Sequence, residues 1–163
     1  MLMWSRAGGV RGRKARGFTL LELMTAVVLT ALLATIAAAA YRSSILKAQT
    51  AQAVSDIGRI ALEVERYRLA HEGSTPDTLA QLGVPVPVDP WSRPYEYLNF
   101  STLPPGGQAL MRKDRNLVPI NTEYDLYSRG PDGDTRPPLT ARPSRDDIVR
   151  ANDGGFIGKA SDY

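Results

Sequence analysis

Residues 18–40 read FTLLELMTAVVLTALLATIAAAA, a run in which Glu22 is the only ionisable side chain. The run contains neither proline nor glycine and is rich in leucine and alanine, which favour the α-helix. At 1.5 Å per residue a helix of this length measures roughly 34 Å, and the hydrocarbon core of a bilayer is about 30 Å thick. The run therefore predicts a helix that can cross a membrane, with one carboxylate near its beginning.

Charge is distributed unevenly along the chain. Residues 1–17 carry five of the 20 basic side chains and none of the 17 acidic ones, so the remainder has 15 basic and 17 acidic groups, a net charge of −2. The positive-inside rule places such a basic segment in the cytoplasm and the chain after Tyr41 on the opposite side of the membrane. A nucleic-acid-binding protein needs its basic surface on the folded domain, so the charge argues against that class.

Three interpretations of the apolar run compete. The first is an ordinary signal peptide, because Ala37 and Ala39 form an A-x-A-like cleavage site near Tyr41, although the run is long for a signal peptide. The second is a plain N-terminal membrane anchor. The third depends on Glu22, because an unpaired carboxylate in lipid is costly and an acid inside a membrane segment is a functional residue by default.

The residues around Glu22 resemble a known signal. Residues 17–23, GFTLLEL, follow the basic segment and resemble the class III signal of type IV pilins and type II secretion pseudopilins. The resemblance implies that a prepilin peptidase cuts between Gly17 and Phe18 and methylates the new amine. Glu22 lies about one helical turn beyond that amine. Its carboxylate can neutralise the amine of its own chain or of a neighbouring subunit; the alternative is that it merely reaches towards the interface.

The helix is predicted to continue beyond the membrane segment to about Ala70. Residues 41–71 contain no proline, and apolar side chains recur there at three- and four-residue spacing. Gly73, followed by Ser-Thr-Pro, predicts the end of the helix. A helix that is apolar all round, as residues 18–40 are, needs lipid or other copies of the chain around it, which favours a filament. The apolar face of the second half consists of Ile57, Ile60, Ala61, Val64 and Tyr67.

The rest of the chain alternates short extended segments with turns rich in proline and glycine. Strands are predicted at residues 95–100, 108–113 and 124–128. A long helix followed by a small antiparallel sheet is an α+β fold, and the resemblance implies the type IV pilin-like form, with a long C-terminal loop. The predicted organisation is a cleaved basic leader at 1–17, a transmembrane and polymerisation helix at 18–40, its amphipathic continuation at 41–72 and an α+β globular region at 73–163.

Two further segments resemble the major pseudopilin of type II secretion systems. Residues 89–95 read DPWSRPY and match its D-P-W-x-x-P-Y segment, and residues 124–133 read YDLYSRGPDG and match its Y-D-x-x-S-x-G-x-D-G segment. Considered without the resemblance, the first segment predicts a fixed turn whose indole covers the core. The second predicts an edge or central strand.

Acidic residues gather in the loop that follows the second segment. In the major pseudopilin a calcium ion holds the C-terminal loop, and the resemblance implies calcium ligands at the matching positions here. The spacing is not that of an EF-hand. From the residues alone, the alternative is a solvated acidic turn neutralised by nearby arginines. The ligands implied by the resemblance are the carboxylates of Asp132, Asp146 and Asp147 and the carbonyl groups of Arg129 and Ser144.

The resemblance implies a structural subunit and not an enzyme. The subunit would lie in the bacterial inner membrane, with its N-terminus in the cytoplasm and its globular region in the periplasm. It would polymerise with itself into a filament that drives protein export. Its other partners would be the prepilin peptidase, minor pseudopilins and the inner-membrane assembly platform with its ATPase. The chain itself has no P-loop motif, no H-E-x-x-H or G-x-S-x-G motif and a single histidine.

Two other functions remain open on the sequence. One is a major or minor type IV pilin that acts in adhesion, motility or DNA uptake. Many such pilins close their C-terminal loop with a disulfide, so the absence of cysteine favours the pseudopilin. The other is a secreted soluble protein that uses residues 1–40 as an ordinary signal peptide.

Overall fold

The computed structural model describes residues 17–163, so the predicted leader lies outside the described residues except for Gly17. The chain divides into two compact units after Arg42. The first unit contains the beginning of helix α1 (Leu20–Ala70), and the second contains the remainder of α1 and all other elements. The prediction of one helix over residues 18–70 is confirmed to within two residues.

The end of α1 follows the predicted stop signal. Glu72 and Gly73 both have positive φ, at 57° and 88°, and the amide of Gly73 donates to the carbonyl oxygen of Arg68 at 2.9 Å. Glycine adopts this left-handed conformation at no steric cost and closes the last turn of a helix. The chain then leaves the helix towards the sheet.

The second half of α1 packs on an antiparallel sheet through the predicted apolar face. Ala53, Ile57, Ile60 and Val64 are buried at the contact. They join side chains from the sheet and from the segment before it in one hydrophobic cluster, whose buried members on that side are Tyr95, Tyr124, Leu126 and Ile148. Burial of this helix face, and not local helix propensity, accounts for most of the stability of such a contact.

The sheet has four strands in the order in which they occur in the chain, each antiparallel to the next. Tyr97 pairs with Leu126, Tyr127 with Val149, and Arg150 with Ile157. This arrangement confirms the α+β class. The strands are β1 (Glu96–Asn99), β2 (Tyr124–Ser128), β3 (Ile148–Ala151) and β4 (Phe156–Lys159).

The sheet is covered on both faces. Tyr124 and Leu126 alternate with Asp125 and Tyr127 along β2, so that the first pair faces α1 and the second faces away from it. A second hydrophobic cluster covers the far face and contains the buried residues Ile120, Leu139, Val149, Ala151 and Ala160. All four residues of β3 are buried as a result.

The strand predicted at residues 108–113 is wrong. Gly107–Leu110 forms a 3₁₀ helix instead. Lys113 pairs with another loop, because its amide donates to the carbonyl oxygen of Pro137 at 3.1 Å and its carbonyl oxygen accepts from the amide of Leu139 at 2.8 Å. The residues of this segment therefore pack as a loop against another loop and do not extend the sheet.

Asp56 is a charged residue of α1 that lies in the contact between the helix and the rest of the globular unit. It is buried, and its carboxylate accepts hydrogen bonds from the hydroxyl of Tyr95 at 3.1 Å, from the amide group of Gln52 at 3.1 Å and from the guanidinium of Arg59 at 3.2 Å. A buried carboxylate is tolerated when it is paired in this way. Burial, together with the charge of Asp56, raises the pKa of Tyr95.

Replacing Tyr95 with phenylalanine is expected to lower the free energy of unfolding by about 1–3 kcal/mol, because a buried carboxylate oxygen loses its donor. Thermal unfolding of the full chain in detergent measures the loss. Tyr41→Phe is the matched control, because the Tyr41 side chain is exposed. If the two variants melt alike, the hydroxyl of Tyr95 does not support Asp56.

Candidate functional site

The first turn of α1 begins directly after the predicted cleavage point. Gly17 and Phe18 are exposed, and the side chain of Phe18 is 82% accessible. Thr19 caps the helix, because its hydroxyl oxygen accepts from the amide of Glu22 at 3.2 Å. Glu22 is the acidic residue of the first turn, where a negative charge is favoured by the helix dipole. Among residues 17–163 no ion pair of the Glu22 carboxylate is found, so the group is available to a cation from outside the described chain.

The surface around Glu22 is apolar on every side. All residues from 17 to 42 are exposed, and α1 is the one helix of the described chain that is long and apolar enough to cross a membrane. The hydroxyls within this surface are satisfied by the helix itself: Thr25 donates to the carbonyl oxygen of Glu22 at 3.0 Å, and Thr30 to that of Ala26 at 2.9 Å. Such pairing removes the cost of placing a hydroxyl in lipid. Within residues 18–40, Glu22 is therefore the one ionisable side chain, and no ion pair of its carboxylate is found in the described chain.

The two motifs of the globular unit meet through buried polar contacts. Asp89 is buried and accepts from the amides of Trp91 and Arg93, at 3.0 and 2.8 Å, and from the hydroxyl of Ser128 at 2.6 Å. The guanidinium of Arg93 donates to the carbonyl oxygen of Gly130. These bonds attach residues 89–95 to the end of β2. Trp91 covers the core and β2 is a central strand, as predicted.

The acidic residues of the C-terminal loop differ in burial: Asp132 is exposed, Asp146 is half-buried and Asp147 is buried. The carboxylate of Asp146 accepts from the amide of Asp132 at 3.2 Å, and the carboxylate of Asp132 accepts from the amide of Asp134 at 2.9 Å. Asp147 has no accessible side-chain surface and forms an ion pair with Arg112, whose side chain is 2% accessible. The predicted ligands Asp132 and Asp146 therefore lie together, while Asp147 faces a cation of the protein itself.

The two predicted carbonyl ligands flank the loop. Arg129 lies directly after β2, and its guanidinium pairs with Glu96 at 2.6 Å. Ser144 ends a short 3₁₀ helix, and its carbonyl oxygen accepts from the amide of Asp147 at 3.3 Å. The hydroxyl of Ser144 is bonded to the backbone of Arg136, both accepting and donating at 2.7 Å. These bonds hold the loop against itself on both sides of Asp146.

Comparison with known proteins supports the features described in the N-terminal segment and in the globular unit. Residues 12–38 match the family described as the prokaryotic N-terminal methylation motif. The chain is 31% identical over 141 residues to the type II secretion system core protein G of Pseudomonas aeruginosa. The aligned region covers 74% of this chain and 87% of the relative. It is 30% identical over 141 residues to the protein of the same name from Escherichia coli K12, with 74% of this chain and 85% of the relative covered. The chain belongs to the type II secretion system core protein G family. No solved structure matches it.

Membership of the core protein G family supports a membrane-anchored pseudopilin. The matched methylation motif contains Gly17, Phe18 and Glu22, and the candidate membrane span found in residues 17–163 begins within it. The relatives are named as core proteins of a type II secretion system. Cleavage and methylation at Gly17 and Phe18, and the pairing of Glu22, stay predictions.

The three carboxylates that the resemblance implies as calcium ligands do not form one cluster in this core protein G chain. Within residues 17–163 no group of three or more His, Cys, Asp or Glu side chains is close enough to hold a metal ion. One carboxylate oxygen of Asp147 is bonded to Arg112 and to the hydroxyl of Thr135, the latter at 2.6 Å. The other oxygen of Asp147 is buried without a hydrogen-bond partner, which is the one feature that favours a cation. The predicted ligand set does not fit this arrangement, and calcium binding stays a prediction.

Arg112 is the residue that sequence reasoning missed. It stands in a polar segment, where an arginine is typically solvated, and its partner Asp147 is 35 positions away. Burial raises the pKa of Asp147 to about 6, and the charge of Arg112 opposes that rise. The direct contact with the Arg112 guanidinium favours the charged form of the Asp147 carboxylate. No local signal distinguishes this arginine from its exposed neighbours.

Proposed function

We propose that the chain is the major structural subunit of a type II secretion pseudopilus. The observation that carries the proposal is the exposed apolar helix surface of residues 18–40, which leaves one carboxylate, Glu22, about one turn from the predicted new N-terminus. A surface of this kind is stable only in lipid or against other copies of the helix. The identity to core protein G relatives over most of the chain supports this assignment over a type IV pilin.

The proposed path begins in the inner membrane, with residue 1 in the cytoplasm and the globular unit in the periplasm. The basic charge of residues 1–17 supports this orientation. The prepilin peptidase cuts between Gly17 and Phe18 and methylates the Phe18 amine. The assembly platform and its ATPase then add the subunit to a filament of identical copies, which minor pseudopilins cap. The filament drives exported proteins through the outer membrane.

Glu22 acts in this proposal as the partner of a buried amine. The amine of an incoming subunit is positive and enters an environment of leucine, valine and alanine side chains. A carboxylate at its side neutralises it, and leaving either charge unpaired would cost several kcal/mol. The helix dipole also stabilises the Glu22 carboxylate, because the carboxylate lies in the first turn, but it does not stabilise the amine.

The intact mass of the chain extracted from membranes tests the processing step. We expect a chain that begins at Phe18 and is heavier by one methyl group. Gly17→Val is expected to keep its leader, because a branched side chain crowds the scissile bond; a Cβ at this position meets no atom within 4 Å, so the fold should be unchanged. A chain that begins near Tyr41 would show an ordinary signal peptide and would end the proposal.

A further inference from the structure

The long loop between β2 and β3 has little secondary structure and no disulfide to hold it in place. It contains one short 3₁₀ helix, Arg142–Ser144, and the chain has no cysteine to close it with a disulfide. Long loops without secondary structure lose much conformational entropy when they are ordered. Other contacts must therefore offset the conformational entropy that this loop loses when it is ordered.

One guanidinium contacts both the loop and the sheet. Arg112 Nη2 forms the ion pair with Asp147, and Nη1 donates to the hydroxyl of Thr135 at 2.6 Å and to the carbonyl oxygen of Arg136 at 2.7 Å. The group lies over the ring of Tyr127 in β2, with 4.3 Å between Cζ and the ring centroid. Arg112 thus connects the middle of the loop, its last residue and the sheet.

The backbone of Arg112 is held as firmly as its side chain. Its amide donates to the carboxylate of Asp125 at 2.6 Å, and the other oxygen of Asp125 accepts from the amide group of Asn121 at 2.9 Å. Asp125 and Asn121 are both buried. Arg112 is therefore held at its backbone by Asp125 and at its guanidinium by the ring of Tyr127, both outside the loop, and these contacts reduce the entropy lost when the loop pairs with it.

We propose that the guanidinium of Arg112 closes the C-terminal loop of this chain, in the place of a divalent cation. It supplies a fixed positive charge to Asp147 and several directed hydrogen bonds to loop oxygens. A bound cation stabilises a loop in the same two ways, through its charge and through its contacts to oxygen atoms. A cation at the free oxygen of Asp147 would face this guanidinium across one carboxylate. The repulsion between two positive charges at such a distance in a buried site opposes its binding.

The first test compares calcium with a chelator. The full chain is extracted from membranes in detergent and melted in about 1 mM calcium, which would saturate a calcium site of this kind, and in EGTA, which removes free calcium. We expect equal melting temperatures. A rise of several degrees with calcium overturns the proposal whatever the variants below show, because binding to the folded state alone must raise its stability.

The second test removes the pair one member at a time. Arg112→Met leaves Asp147 buried and unpaired, and we expect the Tm to fall by about 10 °C. Arg142→Met is the matched control, because Arg142 is an exposed arginine of the same loop. In the double variant Arg112→Met with Asp147→Leu, the unpaired charge is gone, and we expect at least about half of the loss to be recovered.

A local readout separates loop closure from general stability. Trypsin does not cleave before proline, so Arg136 and Arg142 resist it, while the bond between the exposed Arg145 and Asp146 is open to attack when the loop opens. We expect cleavage there to accelerate at least about tenfold in Arg112→Met at a temperature where the chain is still folded. If Arg112→Met accumulates too little, Arg112→Lys keeps the charge without the forked donors and should show the same changes to a smaller degree. Variants that melt and digest like Arg142→Met overturn the proposal.

Discussion

Replacing Glu22 with leucine is expected to abolish secretion while leaving the chain in the membrane and its leader cleaved. The change removes the carboxylate that we propose as the partner of a buried amine. An unpaired charge in this environment costs at least about 3 kcal/mol, which corresponds to roughly a hundredfold loss in the assembly equilibrium. Cross-linked polymer in membranes and exported protein in the culture medium measure the effect.

Two matched variants separate the charge of Glu22 from its other roles. Glu22→Gln keeps the shape and is expected to fail like Glu22→Leu, because only the charge is lost. Thr30→Val removes a polar group of the same helix whose hydroxyl is already bonded to the helix backbone, and it is expected to assemble normally. If Glu22→Gln polymerises and secretes like the parent chain, Glu22 serves only the first turn of its own helix, where its charge is worth a fraction of a kcal/mol.

Replacing Gly130 with alanine is expected to be among the most destabilising single changes in the globular unit, at about 3 kcal/mol or more. Gly130 has a φ of 63°, and a Cβ built there would lie 2.3 Å from the carbonyl oxygen of Asp146. The new methyl group would push the end of β2 away from the loop. Thermal unfolding of the processed full chain in detergent measures the loss, with the fluorescence of Trp91 as the probe.

Two other glycines make the comparison specific. Gly133→Ala has a similar φ of 78°, but its Cβ would meet the end of the Arg93 side chain, which can move. Gly73→Ala has a φ of 88° and meets no atom within 4 Å, so it reports the conformational cost alone, about 1 kcal/mol. The expected order of destabilisation is Gly130, then Gly133, then Gly73. Equal losses at Gly130 and Gly73 would contradict the close approach to Asp146.

Residues whose structure depends on local pattern could be predicted from the sequence. The helix over residues 18–70 follows from an apolar run, a three- and four-residue spacing and a glycine stop, all of which are local. The strand at β2 follows from its alternating pattern. By contrast, β3 escaped prediction because both faces of the sheet are covered there and every residue is buried, so the alternation that predicts a strand is absent.

Contacts between distant residues could not be predicted in the same way. Arg112 and Asp147 are charged residues in polar segments, a pattern typical of solvent-facing loops, and only the sheet topology brings them together. Asp56 likewise lies among charged helix residues, and its burial depends on a hydroxyl from Tyr95, 39 positions further along the chain. The resemblance likewise implies one shared site for the acidic residues of the C-terminal loop, whereas the structure buries Asp147 against Arg112 and leaves Asp132 exposed.

The bond between Asp56 and Tyr95 also bears on how the globular unit responds to mechanical load. A subunit that is drawn along the axis of its helix experiences shear between the helix and the sheet. Interdigitated apolar side chains resist both separation and sliding, and a buried hydrogen bond to a carboxylate adds a directional contact that holds at one position only. The hydrogen bond between Asp56 and Tyr95 therefore opposes sliding of the helix along the sheet, and a force applied to the helix is transmitted to the sheet with the two elements in register.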